Sequence, residues 1–293
     1  MRKKLKDISF SKPLILSICL MCIAMIFRLL DIFVFRLDDL LGEIILSKMI
    51  GFIIVILFVK IAGDNLSSIG FNVNNKWSIF ILGIVITSAL MILGYVGEFL
   101  IFASDSPQLI IAAIDPKAGV TGGIGFALFL LLGNAINCFM EEGLFRGIMI
   151  PMLNKKYSVR MAIFLQALLF GIWHIPWAFK WYISGMVSGS NGFIMALVFN
   201  SIPMILIGIV FGVMYYYTNS IWTPWISHFI INSILNLVHI SINGELNVDM
   251  TIRMSVFLAT ILILVPVLIM ITKKLNRIPV EYNSKTNLSS AVK

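Results

Sequence analysis

Residues 124–150, IGFALFLLLGNAINCFMEEGLFRGIMI, form an apolar stretch that carries two glutamates and an arginine near its end. A transmembrane helix needs about 20 mostly apolar residues, so this stretch is long enough to cross a bilayer. Charged side chains at bilayer depth are costly, and spans that retain them commonly use them in function. The stretch therefore predicts both a membrane-spanning helix and a polar site within the membrane.

The composition of the whole chain agrees with this interpretation. Of the 293 residues, 59% are hydrophobic and only 12% are charged, and the mean hydropathy is +0.99. Soluble domains carry about 25% charged residues. We therefore expect an all-α fold, a polytopic membrane helix bundle with about eight transmembrane helices. The formal net charge is +8, but no nucleic-acid-binding module is visible, so the expected partner is membrane lipid and not nucleic acid.

Apolar runs divide the chain into a bundle with two polar ends. We expect a basic cytoplasmic N-terminus at 1–12, a membrane helix-bundle domain at 13–272 and a polar cytoplasmic tail at 273–293. Seven spans is an alternative, because Arg28, Asp31 and Lys48 interrupt the first two runs. The eight predicted spans are 13–35, 44–61, 78–102, 122–150, 158–178, 193–217, 222–241 and 254–272.

The distribution of Lys and Arg orients the bundle. With eight spans and both termini cytoplasmic, 15 of these residues lie on the inner side and 5 on the outer side, and two lie within spans. This asymmetry follows the positive-inside rule. We therefore expect both termini in the cytoplasm. The expected location is the cell membrane of a prokaryote, with the chain as a multi-pass protein.

The fourth span holds the first polar cluster. Glu142 and Arg146 are four residues apart and so share a helix face, in the orientation that favours an ion pair. Glu141 points about 100° away from Glu142, which predicts that Glu141 is a free carboxylate. In the first span, Arg28 and Asp31 are three residues apart and are predicted to pair.

The fifth and seventh spans hold two further clusters. Phe170 and His174 are four residues apart, and Pro176 predicts a bend or an end of the helix nearby. His228, Asn232 and Asn236 form a polar stripe that must face the bundle interior or a water-filled cavity. Hydrogen bonds that hold helices together are the alternative role for this stripe. From the inner surface, we estimate depths of about 14 Å for Glu141, 21 Å for His174 and 9 Å for His228, so the three must converge to form one site.

The ordered motifs resemble one family. Glu141-Glu142-Gly-Leu-Phe-Arg146 matches EExxxR, Phe170-Gly-Ile-Trp-His174 matches FxxxH, and His228-Phe-Ile-Ile-Asn232 matches HxxxN. In this order, on successive apolar segments, they resemble the CPBP family of intramembrane proteases, which includes type 2 CaaX prenyl endopeptidases and Abi-type proteins. The resemblance covers a core of about residues 120–241.

The resemblance implies an intramembrane endopeptidase that hydrolyses a peptide bond of a membrane-associated substrate, such as a lipidated, CaaX-like peptide. It implies an eight-helix bundle with a cavity open toward the cytosol. Glu141 would activate water with help from His174, and His228 and Asn232 would stabilise the oxyanion. Supporting roles would fall to Glu142, Arg146 and Phe170.

Metal dependence stays open at this point. Two histidines and a glutamate suffice for a catalytic zinc, in which case Glu141, His174 and His228 would bind it. However, the HExxH helix of zincins is absent, so we prefer a reaction that requires no cofactor.

Two other functions remain as alternatives. One is a transporter or proton-coupled channel, in which buried carboxylates and imidazoles relay protons. The other is a non-catalytic immunity or partner protein with the same fold.

Overall fold

The protein, represented here by a computed structural model, is a bundle of long helices. The structure describes residues 2–72, 77–115, 119–247 and 251–275. The end of the predicted tail, from 276 to 293, lies outside the described residues. The eight predicted spans all correspond to helical segments, which confirms the all-α polytopic bundle.

The helices follow the chain in a simple order. A basic helix α1 (Arg2–Ser11) precedes α2 (Pro13–Leu29), which continues as a π-helical turn (Leu30–Phe35). The short α3 is Leu37–Leu41. The remaining helices are α4 (Leu46–Ala62), α5 (Trp77–Ile101), α6 (Ile124–Glu141), α7 (Ile150–Leu153), α8 (Val159–Ile183), α9 (Gly189–Thr218), α10 (Trp222–Leu237) and α11 (Thr251–Leu275). A π-helical segment (Glu142–Met149) joins α6 to α7, so these three form one continuous span.

Five segments among the described residues are long and apolar enough to cross a membrane. They are Pro13–Phe35, Phe80–Ile101, Ile124–Leu153, Val159–Ile183 and Gly189–Thr218. Two further predicted spans form shorter helices, α4 with 17 residues and α10 with 16, and the eighth falls in α11, whose apolar part among the searched residues is Thr251–Ile263. The number of spans, seven or eight, therefore stays a prediction.

Small antiparallel sheets cover one end of the bundle. β1 (Gln108–Ile111) pairs with β4 (Val238–Ile242), β4 pairs with β5 (Glu245–Leu246), and β2 (Ala113–Asp115) pairs with β3 (Val120–Gly122). The predicted seventh span is therefore too long at its end, because the chain leaves the helix after Leu237. Asn243 and Gly244 both have positive φ, as a tight hairpin turn requires.

The fifth span differs from its prediction at Pro176. Helix α8 continues through this proline to Ile183, although proline removes one helical hydrogen bond. Nearby, the Asn200 side chain donates to the backbone carbonyl of His174. This bond from α9 supports the backbone next to the proline, and α8 and α9 pack closely along their lengths.

Candidate active site

One cavity of about 140 Å³ lies inside the bundle. Glu141 from α6, Phe170 and His174 from α8, and His228 and Asn232 from α10 all line it. Glu141, His174 and His228 thus converge on one cavity, although their estimated depths in the membrane differ. The structure brings five of the seven predicted site residues to one cavity, and it places Glu142 and Arg146 behind it, fully buried.

Glu142 connects two of the predicted groups. Its Oε1 accepts a hydrogen bond from Arg146 Nη1 at 3.1 Å, as the spacing predicts, and lies 2.8 Å from His228 Nδ1. A carboxylate oxygen only accepts, so we assign the proton of this second bond to His228 Nδ1. The Arg146 guanidinium also lies 4.1 Å from the ring centroid of Phe170. Glu142 therefore orients the His228 imidazole. Phe170 packs against Arg146, the cationic partner of Glu142.

The two oxygens of Glu141 have different surroundings. Oε1 accepts a hydrogen bond from Trp173 Nε1 at 2.8 Å and lies 3.5 Å from Arg28 Nη1. Oε2 lies 3.7 Å from His228 Nε2 and accepts no hydrogen bond from the described protein groups. The prediction of a free Glu141 is thus wrong for one oxygen, because Arg28 and Trp173 hold it. The other oxygen is left facing His228.

Arg28 is a cavity residue that the sequence did not identify as part of the site. It is 3% exposed, and its guanidinium lies 4.4 Å from the Trp173 ring centroid. Asp31, its predicted partner, instead accepts hydrogen bonds from the backbone and hydroxyl of Ser47, at 2.8 and 2.7 Å. Charge balance gives only a weak signal for this contact: Arg146 can pair with Glu142, which leaves Glu141 as a carboxylate in need of a cation from another span, and Arg28 is such a cation.

His174 and Asn232 complete the cavity wall. His174 Nδ1 lies 2.7 Å from the Phe170 carbonyl oxygen, which can only accept, so Nδ1 carries the proton. A neutral His174 then has its acceptor lone pair on Nε2. The Glu141 carboxylate interacts electrostatically with both His174 and His228. Two imidazoles and one carboxylate thus act on the same small volume.

Asn236 of the predicted stripe, and the nearby His239, are not among the residues that line the cavity. Asn236 Oδ1 accepts from Asn134 Nδ2 at 2.9 Å, and its own Nδ2 donates to the Ile114 carbonyl at 3.1 Å. These bonds hold α10 to α6 and to the sheet, which is the helix-joining role. His239 lies in β4, where burial lowers its pKa. The stripe therefore lines the cavity at one end, with His228 and Asn232, and joins helices at the other, with Asn236.

Independence of a metal stays a prediction, which two features of the site favour. The described residues contain no group of three or more His, Cys, Asp or Glu side chains placed to hold a metal. Arg28 adds a positive charge 3.5 Å from Glu141 Oε1, and like charges at such distances repel.

The comparison with protein families confirms the resemblance seen in the three motifs. Residues 123–234 match the family model described as Type II CAAX prenyl endopeptidase Rce1-like. The search of curated proteins found no match. The matched segment runs from the start of α6 to near the end of α10, so it includes all three motifs. The matched segment is thus similar to type II CAAX prenyl endopeptidases, and the activity of the chain itself belongs to the proposal below.

Proposed function

We propose that this chain, with its Rce1-like core at residues 123–234, hydrolyses a peptide bond of a membrane-associated substrate by means of water activated by Glu141. The observation that carries the proposal is the asymmetry of Glu141. Oε1 is anchored by Trp173, while Oε2 faces His228 in a cavity that His174 and Asn232 also line. An anchored carboxylate with one available oxygen is the arrangement that a general base requires.

The first step of the proposed reaction is proton abstraction. Glu141 Oε2 takes a proton from a water molecule, and the water oxygen bonds to the carbonyl carbon of the scissile peptide. The cavity has room for water, since a single molecule needs only about 10–15 Å³ of comparable volume. His174, on the facing helix, assists by keeping the water in place.

The second step is stabilisation of the tetrahedral oxyanion. Asn232 can donate from its amide at any pH, because its NH₂ is always protonated. With Nδ1 of His228 donating to Glu142, Nε2 can donate only when the imidazole carries a second proton. Glu141 Oε2, at 3.7 Å from Nε2, is placed to pass on the proton taken from water. Each such donor contributes about 2.7–4 kcal/mol in known enzymes.

The last step is release of the products. The carbon–nitrogen bond breaks, and the departing nitrogen takes the proton back from the Glu141–His228 pair. The products are a new carboxylic acid and a new amine, and the acid then ionises by losing its proton to the amine or to water. No covalent bond between protein and substrate forms at any stage, so the chain needs no serine or cysteine nucleophile.

The test uses the full-length protein reconstituted in lipid vesicles with a library of lipid-anchored and transmembrane peptides. We expect new peptide termini with the unaltered protein and none with His228→Ala. A solute or proton flux across the vesicle membrane without new termini would instead support the transporter alternative and contradict the proposal. Equal cleavage by His228→Ala would remove the proposed mechanism.

Arg28 is proposed as a positioning residue for Glu141. We expect Arg28→Met to lower kcat about 10–100-fold with little change in KM, because a misplaced base affects the chemical step more than substrate binding. Arg28→Lys, which retains the charge, should recover part of kcat. A change in KM alone, or equal loss in both variants without recovery by lysine, would contradict this role.

Activity is expected to survive metal removal. After exhaustive chelation and reconstitution in metal-free buffer, the cleavage rate should stay within about twofold, because the proposed base is a carboxylate held by protein groups. Zinc content measured on the same sample is the control. Activity that is lost on chelation and returns only with zinc would contradict the proposal.

A further inference from the structure

The cavity extends from the middle of the bundle away from the basic surface of the protein. Side-chain contacts identify the basic end: Arg2 donates to the carbonyls of Ala62 and Gly63, at 3.3 and 2.9 Å, and Lys156 Nζ donates to the Ser11 carbonyl at 2.8 Å. The N-terminal helix, the end of α4 and the start of α8 therefore meet there. This is the end at which 15 Lys and Arg residues are counted from the sequence.

Contacts of a different kind identify the opposite end. Lys180, near the end of α8, binds Asp38 and Asp39 of α3. Arg253, near the start of α11, binds Glu98 at 2.5 Å near the end of α5. The β-sheets lie at this end as well, since they connect α5 to α6 and α10 to α11.

The cavity extends from Glu141 toward this second end. Helices that run away from the basic end contribute residues from their last turns, such as Trp177 and Trp181 of α8. Helices that run toward the basic end contribute residues from their beginnings, such as Lys48 of α4 and Met254 of α11. These wall residues show that the cavity extends into the half of the bundle away from the basic end, while Glu141 and His228 lie at its inner limit.

The fourth span is closely packed on the basic side of Glu141. On the basic side of Glu141, the span continues with side chains that are 0–4% exposed and pack in one apolar cluster: Leu144, Phe145, Ile148, Met149, Met152 and Leu153. Protein interiors of this kind leave few voids larger than a water molecule. A peptide would have to displace this layer to reach Glu141 from the basic end.

We propose that the catalytic cavity receives its substrate from the non-cytoplasmic side of the membrane. The inference rests on the proposed function and on the positive-inside rule, which places the basic end in the cytoplasm. The resemblance implies a cavity open toward the cytosol. In this bundle the cavity extends away from the end that carries the termini. A cytosolic opening and cytoplasmic termini therefore cannot both hold, and we retain the cytoplasmic termini. The substrate class is then a transmembrane or lipid-anchored peptide whose scissile bond lies toward the non-cytoplasmic face.

The test is labelling of single cysteines in intact cells by a small, charged methanethiosulfonate reagent that does not cross membranes. The native Cys19, Cys22 and Cys138 are first replaced by alanine. Met204→Cys then reports on the cavity wall, which Met204 lines from α9. Exposed positions serve as controls: Ser184→Cys at the end of α8 and Lys156→Cys at the basic end.

We expect Met204→Cys and Ser184→Cys to react in intact cells, and Lys156→Cys to react only after the cells are permeabilised. Labelling of Met204→Cys only after permeabilisation would overturn the proposal. Labelling of Lys156→Cys in intact cells would overturn it too, as would a Met204→Cys thiol that reacts in detergent but from neither side of the membrane. None of these outcomes depends on peptide cleavage, so failure here is distinguishable from failure of the proposed function.

Discussion

Glu141→Gln is expected to lower the rate of peptide-bond cleavage by about 10²–10⁴-fold, the usual contribution of a general base. Glutamine keeps an oxygen that can accept from Trp173 Nε1, which lies 2.8 Å from Glu141 Oε1. It cannot take a proton from water through the other side-chain atom. The rate is measured on reconstituted protein with the same membrane-anchored peptides, at saturating peptide concentration.

A loss of folding must be separated from a loss of chemistry in this variant. Glu141→Gln leaves Arg28, 3% exposed, without the carboxylate 3.5 Å away, and an uncompensated buried charge costs about 3–5 kcal/mol. The double variant Arg28→Met/Glu141→Gln removes both charges, so its thermal stability should exceed that of Glu141→Gln while cleavage stays lost. Cleavage that returns with stability in the double variant would contradict a catalytic role for Glu141.

Arg146→Met is expected to lower the free energy of unfolding by about 3–5 kcal/mol, because it leaves Glu142 buried without its guanidinium partner. Both side chains are fully buried, and Arg146 Nη1 lies 3.1 Å from Glu142 Oε1. The variant also removes the cation that lies 4.1 Å from the Phe170 ring centroid. Unfolding by denaturant in detergent micelles measures the change.

The matched control for this prediction is Glu142→Gln/Arg146→Met, which removes both charges of the pair. It should recover a large part of the lost stability, since removing both ions avoids an unpaired charge. Cleavage should stay low even then, because Glu142 also holds His228 Nδ1 at 2.8 Å. An Arg146→Met protein as stable as the unaltered one would show that this ion pair does not support the fold.

Helix positions were predictable from the sequence because apolar runs determine which segments cross a membrane. The fourth span shows this, since the prediction 122–150 agrees closely with the continuous helical segment Ile124–Leu153. The β4–β5 hairpin was missed, although Val238–Ile242 alternates apolar and polar residues and Asn243-Gly244 is a strong turn signal. An apolar strand directly after a span looks like a continuation of that span.

Within the site, residue spacing predicted the contacts made along one helix. It did not predict the contacts between different helices. The Glu142–Arg146 pair follows from four residues of separation and is present. The contacts of Glu141 with Arg28 and Trp173 depend on how α2 and α8 pack against α6, which spacing along one helix does not describe. For the same reason, the position of the cavity relative to the basic end could be determined only from the packed helices.

Peptide termini in cell membranes test the central claim most directly. Membranes are prepared from cells that produce either the unaltered protein or Glu141→Gln at equal levels, and new termini of membrane-associated proteins are identified by mass spectrometry. We predict a defined set of cleaved termini that occurs only with the unaltered protein, and cleavage at the same bonds by purified protein in vesicles. Identical termini in both cells, together with no cleavage by the purified protein, would contradict a Glu141-dependent intramembrane endopeptidase.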